Sequence, residues 1–230
     1  MTLRKFRDAL IVMAAFLAVL WVLQIANWAA GYRLDTEFGI LPEHVSRLPE
    51  IFTAPLLHFS WQHIEGNSVP LFVLGVLAAY RSVPRFLLAS LIIAVTSGLA
   101  VWLFQSGNEL TVGASGLIFG YFGYVLMRGF FDRNLVDIGV GLLAGALYWT
   151  ILAVALPGTP GVSWIGHLGG LVGGILAAWL LRTQAAAAPT APRRRPASAP
   201  AAPRRRPASS APPGGKSVDD LLRELKEQGL

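Results

Sequence analysis

Six apolar stretches, at roughly residues 9–30, 64–80, 86–104, 113–127, 136–156 and 162–181, recur along this 230-residue chain. The first, third, fifth and sixth approach the ~20 residues that an α-helix needs to cross the hydrocarbon of a bilayer. The second and fourth are shorter and carry polar residues at their starts, which a span tolerates where protein rather than lipid surrounds that end. With 54% hydrophobic and 14% charged residues, the chain lies outside the composition of ordinary soluble domains. The expected fold is an all-α integral membrane bundle of six transmembrane helices over residues 1–182.

The cations give this bundle an orientation. With the amino terminus inside, Arg33 and Arg47 alone among the 19 Lys and Arg residues fall outside, in keeping with the positive-inside rule. Both termini are then cytoplasmic, in a multi-pass protein of the inner (plasma) membrane. Arg4, Lys5 and Arg7 precede the first stretch as they would in a signal peptide. That stretch outruns the ~7–15 residues of a signal's apolar region, so it reads as a retained anchor. Cysteine is absent, which removes disulfides, thiolate catalysis and cysteine-ligated metals.

Residues 31–62 form the one long external connection, in which Pro42, Pro49 and Pro55 limit regular helix. Its mixture of Leu34, Phe38, Ile40 and Ile51 with charged residues suits a segment lying in the headgroup interface. Residues 183–216 read as a disordered Pro/Ala/Arg-rich linker, with Pro-Arg-Arg-Arg-Pro-Ala-Ser repeated from Pro192 and from Pro203. Its arginines fit contact with anionic lipid, at ~1 kcal/mol each near the surface; a solubilising tail without a partner fits equally well. Residues 217–230 read as a short amphipathic helix opened by a Ser217/Asp220 capping box, with Val218, Leu221, Leu222 and Leu225 on one face. It suits docking on a partner or on the membrane. The lipid bilayer is the expected surrounding, and no nucleic-acid partner is expected.

Two segments carry chemistry: Gly113-Ala114-Ser115-Gly116 opening the fourth stretch, and Gly166-His167-Leu168-Gly169-Gly170 opening the sixth. A histidine inside a membrane span is costly and marks function, and serine with histidine is the minimum pair for a hydroxyl nucleophile and its base. Gly116, Gly120 and Gly123 on one helix, and Gly170 and Gly174 on the other, are spaced to let two membrane helices approach closely. Ser115 also falls in a helix's first turn, where unpaired N–H groups and the positive helix end favour developing negative charge. In the second stretch, His63 and Asn67 are four residues apart on one helix face and can donate hydrogen bonds to an oxyanion. A metal site on His58, His63 and His167 is the competing reading, but no carboxylate or cysteine completes a ligand set. Asp137 lies at the opposite end of its segment, so a Ser-His dyad fits better than a triad. Phe119, one turn below Ser115, is the expected stacking partner of the imidazole. No cofactor is expected.

Three motifs in this order resemble the rhomboid family of intramembrane serine proteases, in its compact bacterial six-helix form. They are His58-x4-His63-x3-Asn67, Gly113-Ala114-Ser115-Gly116 and Gly166-His167-x-x-Gly170-x3-Gly174, and the similarity covers roughly residues 8–182. The resemblance implies Ser115 as nucleophile, His167 as base, and an oxyanion hole from the Ser115 N–H with His63 and Asn67, shaped by the loop at Gly113. It also implies single-span membrane proteins as substrates. The Trp-Arg pair found in the first external loop of many members is missing here, Phe119 stands where some carry tyrosine, and Glu65 is an unusual charge between His63 and Asn67. Two rivals remain: a catalytically silent rhomboid-like protein that binds membrane helices, and a small-solute transporter, for which no paired mid-membrane charges are visible.

Overall fold

The computed structural model describes residues 3–150, 162–183 and 217–227, and the chain divides into two units, Met1–Ala186 and Ala187–Leu230. In the first unit the helices are α1 (Leu3–Ala29), α2 (Arg33–Phe38), α3 (Trp61–Ala79), α4 (Val83–Phe104), α5 (Ser115–Asp132), α6 (Leu135–Tyr148) and α7 (Trp164–Leu180). Two 3-10 helices, Val45–Ile51 and Ala54–Leu56, lie between α2 and α3. Four of these helices begin as their sequences dictate. The side chains of Ser60, Ser82, Asn134 and Ser163 each accept a backbone N–H from three residues on, capping α3, α4, α6 and α7.

Only α1 and α4, among the described helices, are both long and apolar enough to span a membrane by themselves; α6 and α7 are apolar but shorter. The reason lies in what the others carry. α3 holds Gln62, His63, Glu65, Asn67 and Ser68, and α5 holds Arg128 and Asp132. Residues 151–156, the end of the fifth apolar stretch, lie outside the described residues, as do residues 184–216 of the expected disordered linker.

Glycine decides how α7 packs. One of its edges, Gly166, Gly169 and Gly173, lies on α4: a Cβ at Gly169 would stand 2.5 Å from the Ala100 Cβ and 2.9 Å from the Thr96 carbonyl. The adjoining edge lies on α5, where a Cβ at Gly170 or Gly174 would run into the carbonyl of Gly116 or Gly120. α7 is therefore wedged closely between two helices, and at Gly169, Gly170 and Gly174 an added Cβ would meet neighbouring backbone at under 3.0 Å.

The connection before α3 is more protein-like than its mixed composition suggests. Ile40, Ile51, Ala54 and Leu57 are buried with Val101 of α4 and Val112, forming a small core of their own. Ile40 pairs with Thr111 in an isolated antiparallel bridge. The Arg47 side chain ties the loop to itself, donating to Glu50 at 2.6 Å and to the carbonyls of Thr36 and Gly39 at 2.8 and 2.9 Å. Ile40 and Ile51 thus face protein, not the headgroup interface expected for them, while Phe38 stays 44% exposed.

At the far end of α3 a buried ion cluster holds the bundle together. Asp137 accepts from the Tyr80 hydroxyl, Arg81 and Arg128, and Arg81 also reaches Asp132 at 2.6 Å. Arg128 further donates to the carbonyls of Ala78 and Leu77 at 3.1 and 3.2 Å, and Asp132 accepts the Thr183 N–H at 2.6 Å. Asp137 and Arg128 side chains are only 3% and 4% exposed. Removing one partner of such a pair leaves a buried charge uncompensated, at about 3–5 kcal/mol. Asp137→Asn should accordingly lower the thermal unfolding temperature of the detergent-solubilised protein by several degrees.

In the second unit the described element is α8 (Val218–Glu227). Ser217 and Asp220 form a reciprocal cap, the Asp220 N–H donating to the Ser217 hydroxyl at 3.3 Å and the Ser217 N–H to the Asp220 carboxylate at 3.1 Å. Val218, Leu222 and Leu225 are exposed.

Candidate active site

A cavity of about 870 Å³ opens among α3, α4, α5 and the start of α7. His63 and Asn67 from α3, Gly113 from the connection before α5, Ser115 from α5 and His167 from α7 all line it. The five residues singled out in the sequence therefore meet at one place, though they come from three helices and a loop.

Ser115 is the first residue of α5, and Ala114 is its N-cap with no side-chain cap bond. The helix's first bond runs from the Ile118 N–H to the Ala114 carbonyl at 3.1 Å. The N–H groups of Ser115, Gly116 and Leu117 thus have no acceptor within the helix and stand at its positive end. His167 is 4% exposed, and its ring stacks on Phe119 with centroids 4.2 Å apart and planes 15° from parallel. Phe119 is one turn along α5 from Ser115, on the same face. The glycine contacts fix this register: a Cβ on Gly116 would stand 3.5 Å from the Gly166 carbonyl, and Gly170 lies against Gly116 itself. Imidazole and hydroxyl thus occupy neighbouring levels of two helices in backbone contact. The Phe119 stack is one contact that fixes the plane of the ring.

Gly113 is the residue that shapes the floor. Its φ of +127° suits glycine alone, and a Cβ there would come within 2.7 Å of the His63 ring, with the Asn67 amide nitrogen next at 3.8 Å. The Gly113 N–H is already spent on the Ala54 carbonyl at 2.9 Å, so its contribution is space. The Asn67 amide nitrogen, buried, has no hydrogen-bond partner among the described residues. A buried donor left in this state is costly unless something that enters the cavity takes it. Glu65, by contrast, is exposed and lies outside the cavity lining.

His58 has a part that its spacing alone does not reveal. It is fully buried; its Nε2 accepts the Ala114 N–H at 3.4 Å, so the proton belongs on Nδ1. Its ring meets His63 edge-on at 4.9 Å, and the Asn27 amide donates to its carbonyl at 3.4 Å. One imidazole thus braces both the residue before Ser115 and the ring of His63. Burial, and secondarily the neighbouring His63, push its pKa down from 6.5 to about 3, which keeps it neutral and able to accept. His58→Ala leaves the Ala114 N–H unsatisfied and should cost about 1–3 kcal/mol, whereas His58→Gln retains an acceptor. Because the folded-state pKa is the lower one, the unfolded state takes the proton first. Stability should fall as pH drops from about 6.5 towards 3. Thermal unfolding across that window should show a steeper loss in the wild type than in His58→Gln.

Two further polar residues were hidden inside an apolar run. The Ser97 hydroxyl, in the middle of α4, donates to the Gly166 carbonyl at 2.8 Å. Gln105, just past α4, accepts from the Ser163 hydroxyl and donates to Thr111 at 2.9 Å. Both line the cavity and fasten the first turn of α7 next to His167. The available signal was their polarity within or at the end of an otherwise apolar segment.

A profile of the Rhomboid domain matches residues 45–184, which takes in all the cavity residues from Pro55 to His167. A Mycobacterium tuberculosis protein described only as uncharacterized is 40% identical over 174 residues, covering 72% of each chain. Rhomboid-like protein 11, chloroplastic, of Arabidopsis thaliana is 29% identical over 57% of this chain and 52% of its own. Rhomboid protease GluP of Bacillus subtilis is 32% identical over 60% of this chain and 27% of its own. On the extent of the domain match, which spans more than half of the chain, it belongs to the rhomboid family, a family of membrane proteins.

Proposed function

We propose that the chain is an intramembrane serine endopeptidase that cleaves single-span membrane proteins with a Ser115–His167 dyad. The observation that carries this reading is the juxtaposition just described. A serine at a helix start and a π-stacked histidine stand on two glycine-packed helices, beside an amide donor that has no partner among the described residues, all lining one cavity.

The chemistry follows from that arrangement. The Ser115 Oγ attacks the scissile carbonyl while His167 takes its proton, and the developing oxyanion lies before the Ser115 N–H, His63 and Asn67. His167 then returns the proton to the leaving amine. A water, deprotonated by the same imidazole, attacks the acyl-enzyme ester, releasing the new carboxyl end and restoring the Ser115 hydroxyl. A substrate helix has to unwind locally first, since its carbonyls are already hydrogen-bonded.

A bilayer setting is supported by the bundle's outer surface, where Ile11, Val22, Leu91, Leu142, Leu147 and Val172 are each at least half exposed. Apolar display on this scale is foreign to a soluble monomer. Six spans, cytoplasmic termini and an inner-membrane location complete the reading, with Ser115 near the external face. It is tested by incubating the purified chain in liposomes with a labelled single-span substrate, alongside fluorophosphonate labelling. Cleavage with labelling at Ser115 is the expected result; capture of the substrate without cleavage would overturn it in favour of a silent binding protein.

A further inference from the structure

The cavity is chemically lopsided. Its deep end holds Ser115, His167, His63 and Asn67, while Phe59 and Trp164, 45% and 36% exposed, stand among its more open lining residues. Among the described lining residues, one side chain is acidic: Glu109, exposed on the connection between α4 and α5. No lysine or arginine stands among them.

That carboxylate sits on a braced loop. The Gln105 amide donates across the base of the loop to the Glu109 carbonyl at 3.4 Å and to the Thr111 hydroxyl at 2.9 Å. The other side of the same amide accepts from Ser163 at the start of α7, and Thr111 is paired with Ile40. The backbone on both sides of Glu109 is therefore anchored to α7 and to the external connection. Arg47 is paired with Glu50 at 2.6 Å, and Glu109 is in none of the ion pairs formed among the described residues.

Resting on the peptidase reading above, we propose that Glu109 is a specificity-determining residue, favouring substrates with Lys or Arg in the flank that emerges beside the cleaved segment on the Ser115 side. A polypeptide whose scissile carbonyl reaches Ser115 has to leave the cavity past its open lining, where one uncompensated negative charge meets it. A cation there gains a partner; an acidic flank is repelled. The preference is selective, because membrane proteins tend to keep Lys and Arg out of their external flanks.

The test uses the full chain in zwitterionic liposomes and three reporters identical except for Lys, Gln or Glu at one flank position. With wild type, kcat/KM should fall in the order Lys, Gln, Glu, each step being roughly two- to fivefold as for an exposed ion pair. The spread should shrink as salt is raised, since the charges are near the surface. Glu109→Gln should flatten the series and Glu109→Lys should reverse it. An unreversed series in Glu109→Lys would overturn the inference while leaving the peptidase reading intact. Loss of all cleavage in both variants would overturn it too, by making Glu109 a structural residue. If the wild type cut no reporter at all, the peptidase reading would fail and this inference with it.

Discussion

Ser115→Ala is expected to reduce cleavage of a transmembrane reporter to background, with substrate binding retained. Removing the nucleophile of a serine hydrolase costs on the order of 10⁶ in turnover, and the other hydroxyls of the described lining are placed differently: Ser97 is bonded to Gly166, Ser163 and Thr111 to Gln105, and Ser106 is exposed on the connection after α4. The substitution takes away one oxygen from a half-buried position, so the fold should be unmoved. His167→Ala should be nearly as inactive, and the double variant no worse than either single one, because in the proposed mechanism the two groups act as a unit. Additive losses in the double variant would show that hydroxyl and imidazole act separately. Residual cleavage by Ser115→Ala above background would remove the proposed mechanism outright.

The two halves of this site were not equally legible in the sequence. Ser115 and His167 stood out because polar residues opening apolar stretches need a reason to be there. Their glycine neighbours at three- and four-residue spacing indicated which helices would meet, and the structure places Gly170 on Gly116 and Gly174 on Gly120. The expected stacking of Phe119 on His167 is present as well. Contacts made between loops and across chain distance were not legible. His58 reaches Ala114 over 56 positions and Ser163 reaches Gln105 over 58, and no periodicity encodes such a pairing. The connection before α3 hides contacts of the same kind. Ile40 and Ile51 look like headgroup-facing residues until Val101 and Val112 are known to stand opposite them. Among the described helices only two are long and apolar enough to span alone: α6 and α7 are shorter, and the residues that build the site and the ion cluster make α3 and α5 too polar.

Gly170→Ala is expected to inactivate the protein without touching a reacting group. In the structure an added Cβ at Gly170 meets the backbone of Gly116, whose carbonyl belongs to a helix and cannot rotate away. A flexible side chain could yield; this contact can be relieved only by moving α7 off α5. Overpacking of this kind costs about 1–3 kcal/mol, occasionally more, and its effect on rate should exceed its effect on stability. Ser115 and His167 are carried by the two helices being separated, and a displacement of about 1 Å in a reacting pair is enough for a 10²-fold loss. Gly174→Ala, one turn further from the cavity and pressed on Gly120, should destabilise similarly but cost less activity. The control is Gly139 in α6, where a Cβ would meet nothing within 4 Å. There alanine should leave cleavage intact and raise stability by about 0.5–1 kcal/mol through the unfolded state. Measuring unfolding temperature and kcat together on the three variants separates the cases. If Gly170→Ala stayed active while remaining folded, close approach of α5 and α7 would not be what brings the hydroxyl to the imidazole.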